Sequence, residues 1–291
     1  MRCVLCPRQC GALRDESHGE GLCGMPSLPV VARAALHRWE EPVISGTRGS
    51  GAVFFSGCTL NCRYCQNVAI SRQNFGKTIS VDRLAEIFRE LEAQGAHNIN
   101  LVSAGHFAHL IPEAIQKSGV KVPFLWNTGG YERVETVRML ANYVNLWLPD
   151  LKYLDARRAG RYSGAEDYPT VAQAAIRAMV EAAGPYQIED GVMTRGVLIR
   201  HLLLPGGLPE AKAAMDWVAE NFPRRTVLFS LMGQYVPPEA DEECPELCRR
   251  VRPSELRAAV AYMDALGLEG YTQDLSAAQG KYTPSFDLTG V

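Results

Sequence analysis

Long apolar runs are missing from this chain. No stretch reaches the length of a membrane span, and the opening "MRCVLCPRQCG" lacks the apolar core of a signal peptide. Those absences argue against a helical membrane protein and lead to the expectation of a cytoplasmic one. A dense basic run is missing as well. With 30 Lys+Arg against 32 Asp+Glu the formal charge is -2, so neither duplex nucleic acid nor an anionic membrane is expected as the main partner. What is present is an ordinary globular balance, 47% apolar and 21% charged over 291 residues, enough for one large α/β domain with a small appendage.

Nine cysteines fall in three clumps: Cys3, Cys6, Cys10 and Cys23; then Cys58, Cys62 and Cys65; then Cys244 and Cys248. The odd total and the absent signal peptide favour reduced, metal-binding thiols over disulfides. The first thirty residues, rich in Cys, Gly and Arg and without a sustained apolar period, read as a metal-pinned knuckle (1–30) ahead of a main domain (31–291). The knuckle spacing, C-x2-C-x3-C-x12-C, suits structural zinc or an auxiliary [4Fe-4S] cluster, and its small, polar, glycine-rich character leans to zinc. Cys244 and Cys248 in "CPELCRR" read as surface thiols. His37, Trp39 and Glu40 read as residues that pack the knuckle onto the main domain.

From residue 51 the pattern alternates strand and helix. "GAVFF", "NINLV", "VPFLW", "VNLWL", "GVLIRHLLL" and "TVLFSL" are short, nearly continuous apolar runs, each followed by a loop and a helical period. Ser80 is the expected N-cap of a helix whose apolar stripe is Leu84, Ile87, Phe88 and Leu91. Thr170 with Gln173 reads as a capping box opening "VAQAAIRAMVEAAG". About six βα units predict a parallel sheet with helices outside. Six is short of a closed eight-unit barrel, so the expected architecture is a partial (β/α)6 barrel, with a doubly wound sheet as the alternative. In either, functional groups gather at the carboxyl ends of the strands.

The loop "GCTLNCRYCQN" follows the first of those strands. Its three cysteines can each bind one iron of a [4Fe-4S] cubane and leave the fourth iron open; zinc completed by a distant His is the competing reading. C-x3-C-x2-C after a first strand, with Tyr64 before the last cysteine, resembles the radical S-adenosylmethionine (SAM) superfamily. "FFSGCTLNCRYCQN" looks like the cluster loop of pyruvate formate-lyase activating enzymes, and residues 31 to 280 look like the PflX-type group beside them. The resemblance implies that SAM is the fourth ligand and that an electron from the cluster splits it into methionine and a 5'-deoxyadenosyl radical. It also implies an electron donor of the flavodoxin or ferredoxin type.

The same resemblance assigns the other strand ends. "SAGH", with Ser103 and Gly105, stands where the family carries two glycines and an acid beside the SAM ammonium, and it departs from that pattern. Asn127 and Thr128 correspond to a pair near the SAM sugar and a monovalent cation. "LPDLKY" resembles the activases' Asp-x-Lys, with Asp150 near the ribose or cation and Lys152 on the SAM carboxylate, which Arg200 also reaches. Period-2 alternation places Asp150 and Lys152 on one face. Gln234 and Tyr235 are weaker candidates for adenine or substrate. The expected activity is therefore hydrogen abstraction from a small molecule, peptide or protein, activation of a glycyl radical enzyme being one form. A non-catalytic iron-sulfur carrier is the alternative. "TRGSGAVFF" replaces the glycine-proline-glycine-x-arginine stretch of the activases, which sets the substrate apart.

Overall fold

The computed structural model describes residues 2–273, 275 and 284–291; residues 274 and 276–283 of the expected 31–291 domain lie outside them. The strands are β1 (Val30–His37), β2 (Ser50–Phe55), β3 (Lys77–Thr78), β4 (Ile99–Val102), β5 (Phe124–Thr128), β6 (Leu146–Pro149), β7 (Gln187–Glu189), β8 (Val192–Leu202), β9 (Val227–Met232) and β10 (Gly270–Thr272). They form one sheet in the order β10-β9-β8-β6-β5-β4-β2-β1-β3, with β7 paired to β8 at its side. From β2 to β10 the neighbours along that order run parallel, and β1 and β3 close one edge in antiparallel fashion. Because β3 and β10 are the ends of the order, the sheet is a splayed partial barrel.

All six expected parallel strands are present. Every residue of β2, β4, β5, β6 and β9 is buried, which is what a parallel sheet covered on both faces requires of its sequence. The seventh parallel strand, β10, is the short "GYT", which has no apolar run to announce it. On the outside, the helix Val81–Ala93 starts where Ser80 accepts from the Arg83 amide at 3.1 Å, and it buries Leu84, Ile87, Phe88 and Leu91. Each of those side chains contributes about 1.5–3 kcal/mol by leaving water.

Two local expectations are corrected. The helix expected to open at Thr170 begins at Tyr168, so Thr170 lies inside the first turn and is not its cap. Proline at the second position, Pro169, tolerates that start because its missing N–H would have been unpaired there anyway. Cys244 is not a surface thiol: it is fully buried, its amide donating to Asp241 at 3.0 Å, while Cys248 is half-buried.

The N-terminal segment is fixed to the barrel by arginines. Arg8 Nε donates to the Thr59 carbonyl at 2.9 Å and Nη2 to that of Ser163 at 3.0 Å; Arg14, itself buried, reaches the His106 carbonyl at 2.8 Å. In return Arg133 donates to Val4 O and Thr136 to Leu5 O. Gly57, at φ +84, permits the closest approach: a Cβ there would lie 3.0 Å from the Cys23 carbonyl and inside Met25. The knuckle thus rests on the cysteine loop itself.

Candidate active site

β2 is buried throughout and ends at Phe55, delivering Ser56 and Gly57 and then the cysteine loop to the carboxyl edge of the sheet. Each thiol of the loop receives a hydrogen bond. The Leu60 amide donates to Cys58 Sγ at 3.4 Å, the Ser163 hydroxyl to Cys62 Sγ at 3.0 Å and the Ser71 hydroxyl to Cys65 Sγ at 3.4 Å. Burial pushes the Cys58 thiol up to about 11, with the neighbouring Cys62 adding to it, and burial raises Cys62 too. A buried thiol of that kind loses its proton to a metal more readily than to water. A cubane sets its thiolates on separate irons, and three thiols with a hydrogen-bond donor at each sulfur are compatible with that arrangement.

Tyr64 lies beneath this loop and not beside an open pocket. Its buried hydroxyl accepts from Tyr153 at 2.6 Å, and the Tyr153 hydroxyl lies 2.9 Å from that of Ser163. A line of buried hydroxyls therefore runs from Tyr64 to the sulfur of Cys62. Tyr235 is likewise internal, donating to the Leu247 carbonyl at 2.7 Å, whereas Gln234 lines the mouth of the barrel.

At the ends of β5, β6 and β8 the expected polar residues meet. Lys152 Nζ donates to Asp150 Oδ2 at 2.5 Å and Arg200 Nε to Asp150 Oδ1 at 3.0 Å; Arg200 Nη2 reaches Asn127 Oδ1 at 2.6 Å. Against the cost of burial, the two cations hold the Asp150 carboxyl below its ordinary value, and Asp150 holds both cations above theirs. Asp150 is thus the ion-pair partner of both. Glu40 joins the same group: Oε2 lies 3.4 Å from Arg200 Nη1, while Oε1 accepts from Asn100 at 3.1 Å and Asn127 at 3.3 Å. The expectation that Glu40 packs the knuckle is corrected, because β1 runs antiparallel to β2 and the chain leaving it crosses the barrel mouth. A cleft of about 370 Å³ opens over this network, lined by Glu40, Phe54, Gln66, Val102, Asn127 and Arg200 among others.

Ser103, Gly105 and Thr128 face a second, smaller cavity together with Cys58 and Glu132. Ser103 turns the chain out of β4 at φ +61, left-handed backbone that a non-glycine residue adopts at a cost. Glu132 is buried. Its Oε1 accepts from Thr128 at 2.7 Å and from the Trp126 indole at 3.4 Å, and burial pushes its carboxyl up to about 7. Glu132 has no place in the sequence reading of the site, and Glu40 has one only as a packing residue. Glu132 left one trace, an acid just behind the two glycines of "NTGGYE"; Glu40 left none.

The geometry can be set beside known proteins. Residues 52–217 match the family model described as "Radical SAM superfamily". An uncharacterized protein of Methanocaldococcus jannaschii is 25% identical over 277 residues, covering 92% of this chain and 75% of its own length. The structure of Streptococcus suis SuiB bound to precursor peptide SuiA shares the fold at a TM-score of 0.54 and 15% identity, over 76% of this chain and 48% of SuiB; the chain spans about half of that protein. A domain of pyruvate-formate lyase-activating enzyme from Bacteroides vulgatus aligns at a TM-score of 0.41 and 16% identity, over 58% of this chain and 89% of the domain.

Proposed function

Because this chain belongs to the radical SAM superfamily, a family whose members carry a [4Fe-4S] cluster and use SAM, we propose that Cys58, Cys62 and Cys65 hold the cluster and that the strand ends around Asp150 hold SAM. When bound, the reduced cluster supplies the electron that cleaves SAM and so starts hydrogen abstraction from a substrate.

The residues around it have separate tasks in this reading. Ser71, Ser163 and the Leu60 amide direct hydrogen bonds at the three sulfurs. Lys152 and Arg200 present cations to the SAM carboxylate, exchanging part of their contact with Asp150 for it. Asp150 and Asn127 then face the ribose. Asn127 Oδ1 is engaged by Arg200 and the Thr128 hydroxyl by Glu132, so a monovalent cation at that pair would have to displace them. The observation that carries the proposal is the convergence of two half-buried cations, Asp150 and Asn127 at the mouth that the cysteine loop also borders, since an iron-sulfur carrier has no use for such a set.

The cleft over the network is the way in for substrate, which is a small molecule, a peptide or the glycyl strand of a partner enzyme. A one-electron donor of the flavodoxin or ferredoxin type is needed as well. A second cleft of about 560 Å³ lies against Leu60 and Asn61 of the cysteine loop and offers the donor a place beside the cluster; of its arginines, Arg63 is paired with Asp241 and Glu243 and Arg161 with Glu246, while Arg8 and Arg72 bond backbone carbonyls. Anaerobically reconstituted, dithionite-reduced protein should release methionine and 5'-deoxyadenosine from SAM, slowly without substrate. A protein that carries a full cluster and releases neither product would leave the carrier reading in its place.

A further inference from the structure

The cleft beside the cysteine loop has Ser71 and Ser163 in its wall, and each touches a sulfur of the loop, Ser71 donating to Cys65 and Ser163 to Cys62. A partner seated there is one side chain away from both sulfurs. Arg63, which lies between Cys62 and Cys65 in the chain, borders the same cleft with Arg161. Both guanidinium groups are already taken by an acidic turn of this chain, Asp241–Glu246, from the loop after β9. Arg63 donates to Asp241 at 3.2 Å and to Glu243, and Arg161 meets Glu246 at 2.6 Å.

The turn is fixed from beneath and open on top. Cys244 and Leu247 are buried, the Leu247 carbonyl accepts from Tyr235, and Asp241 Oδ1 accepts from the amides of Glu243 and Cys244. The outer carboxylates are different: the Glu243 side chain is 74% exposed and that of Glu246 34%, against arginines at 33% and 50%. Ion pairs so open to water add little to folding, because solvent and salt screen them and both side chains lose freedom in making them. Glu243 and Glu246 are therefore free to swing off while the backbone of the turn stays in place.

We propose that this turn is a latch on the electron-entry face: Glu243 and Glu246 hold Arg63 and Arg161 until carboxylates of an acidic one-electron donor protein replace them. This rests on the cluster-binding reading given above. Exchanging one carboxylate for another keeps each arginine paired as the donor arrives, and a protein without an acidic face gains nothing by displacing the latch. One electron then leaves the reduced donor and is taken up at the cluster, with no bond made or broken. The latch thus selects the donor by charge.

The test uses cluster-loaded protein, a flavodoxin as the acidic donor, and two double variants with the same change of charge in the same loop. Glu243→Gln/Glu246→Gln frees the two arginines. Glu239→Gln/Glu242→Gln removes two exposed carboxylates that form no ion pair among the described residues. At low salt the first should bind oxidised flavodoxin about threefold to tenfold more tightly and be reduced by reduced flavodoxin faster by a similar factor, while the second changes by less than about twofold. The gain should fade as salt is raised. Photoreduced deazariboflavin, small and uncharged, should reduce all three proteins at one rate, and iron content should match. Arg63→Gln/Arg161→Gln should weaken flavodoxin binding by about tenfold; if it does not hold its cluster, the two glutamate pairs carry the test. Equal gains in both glutamate pairs would reduce the effect to general repulsion and overturn the latch, as would no gain in the first. Wild-type protein that accepts electrons from deazariboflavin but neither binds flavodoxin nor is reduced by it would sink this inference alone; wild-type protein that holds no cluster would sink the reading beneath it as well.

Discussion

Glu40 and Arg200, 160 positions apart in the chain, meet with Oε2 and Nη1 at 3.4 Å over the mouth of the barrel. The pair is half-buried on both sides, 12% and 14% exposed, and the same carboxylate holds Asn100 and Asn127. Glu40→Gln keeps an amide for the two asparagines and removes the charge facing Arg200. It should lower the stability of the ligand-free protein by about 1.5 kcal/mol, read from urea unfolding. A midpoint equal to wild type would mean that the contact adds nothing.

Lys152→Ala and Arg200→Ala each remove a cation from the strand ends and leave Asp150 with one partner. Each should weaken SAM binding by about tenfold or more while the iron content stays at the wild-type level. Wild-type affinity in both variants would show that these side chains do not face the cofactor.

The Ser163 hydroxyl donates to Cys62 Sγ at 3.0 Å. Hydrogen bonds to the sulfurs favour the more negative, reduced state of a cluster and so raise its potential. Ser163→Ala should therefore hold its cluster and titrate at a lower potential, followed by electron paramagnetic resonance. Replacement of Cys58, Cys62 and Cys65 by Ala should remove the cluster absorption entirely. An unshifted potential in the serine variant would show that the hydroxyl is not directed at a ligating sulfur.

At the N-terminus, Cys3, Cys6, Cys10 and Cys23 line one small cavity with Arg14, whose Nη1 lies 3.5 Å from Cys3 Sγ. Metal analysis should find about one zinc beside about four irons. Changing Cys3 and Cys6 to Ala should release the zinc and open residues 1 to 30 to protease. About eight irons and no zinc would transfer the site to an auxiliary cluster, and a variant that kept its metal would leave the four thiols without a ligating role.

Glu255 accepts from both Nη atoms of Arg249 at 2.8 and 2.9 Å, and from the amides of Arg252 and Gly206. The Arg249 contact, against a smaller cost of burial and with help from the two amides, holds its carboxyl at about 2. An unfolded Glu titrates near about 4.3, so this stabilisation is complete above that pH and is lost as pH falls toward about 2. Glu255→Gln should lower the unfolding midpoint at neutral pH and make the acid-side decline shallower. Parallel pH curves for the two proteins would show that Glu255 has the same pKa folded and unfolded.

The parts of this fold that the sequence announced are those set by continuous burial. β2, β4, β5, β6 and β9 each hide every side chain, and short, nearly continuous apolar runs such as AVFF in β2 and VLF in β9 leave few other interpretations. β10 escaped because it borrows its place from β9, pairing Gly270 to Thr272 with Phe229 to Leu231 and not burying an apolar run of its own. Within the site, alternation anticipated that Asp150 and Lys152 share one side, but it did not anticipate their ion pair, which forms in the loop just beyond β6. Glu40 depends on a contact with Arg200, 160 positions along the chain, and Glu132 on the close approach of Gly105 from the neighbouring loop; no local period records such meetings.

Gly57 has no free volume above its Cα, since Met25 and the Cys23 carbonyl fill it. A side chain can enter at position 57 only if Met25 becomes smaller in the same step, and the Cys23 carbonyl must also give way. Two stretches more than thirty positions apart are in this way bound to a common inheritance: a lineage that alters the approach to Cys58 must alter the N-terminal segment with it. Exchange of the first thirty residues between relatives should accordingly succeed only when the residues around 57 travel in the same piece.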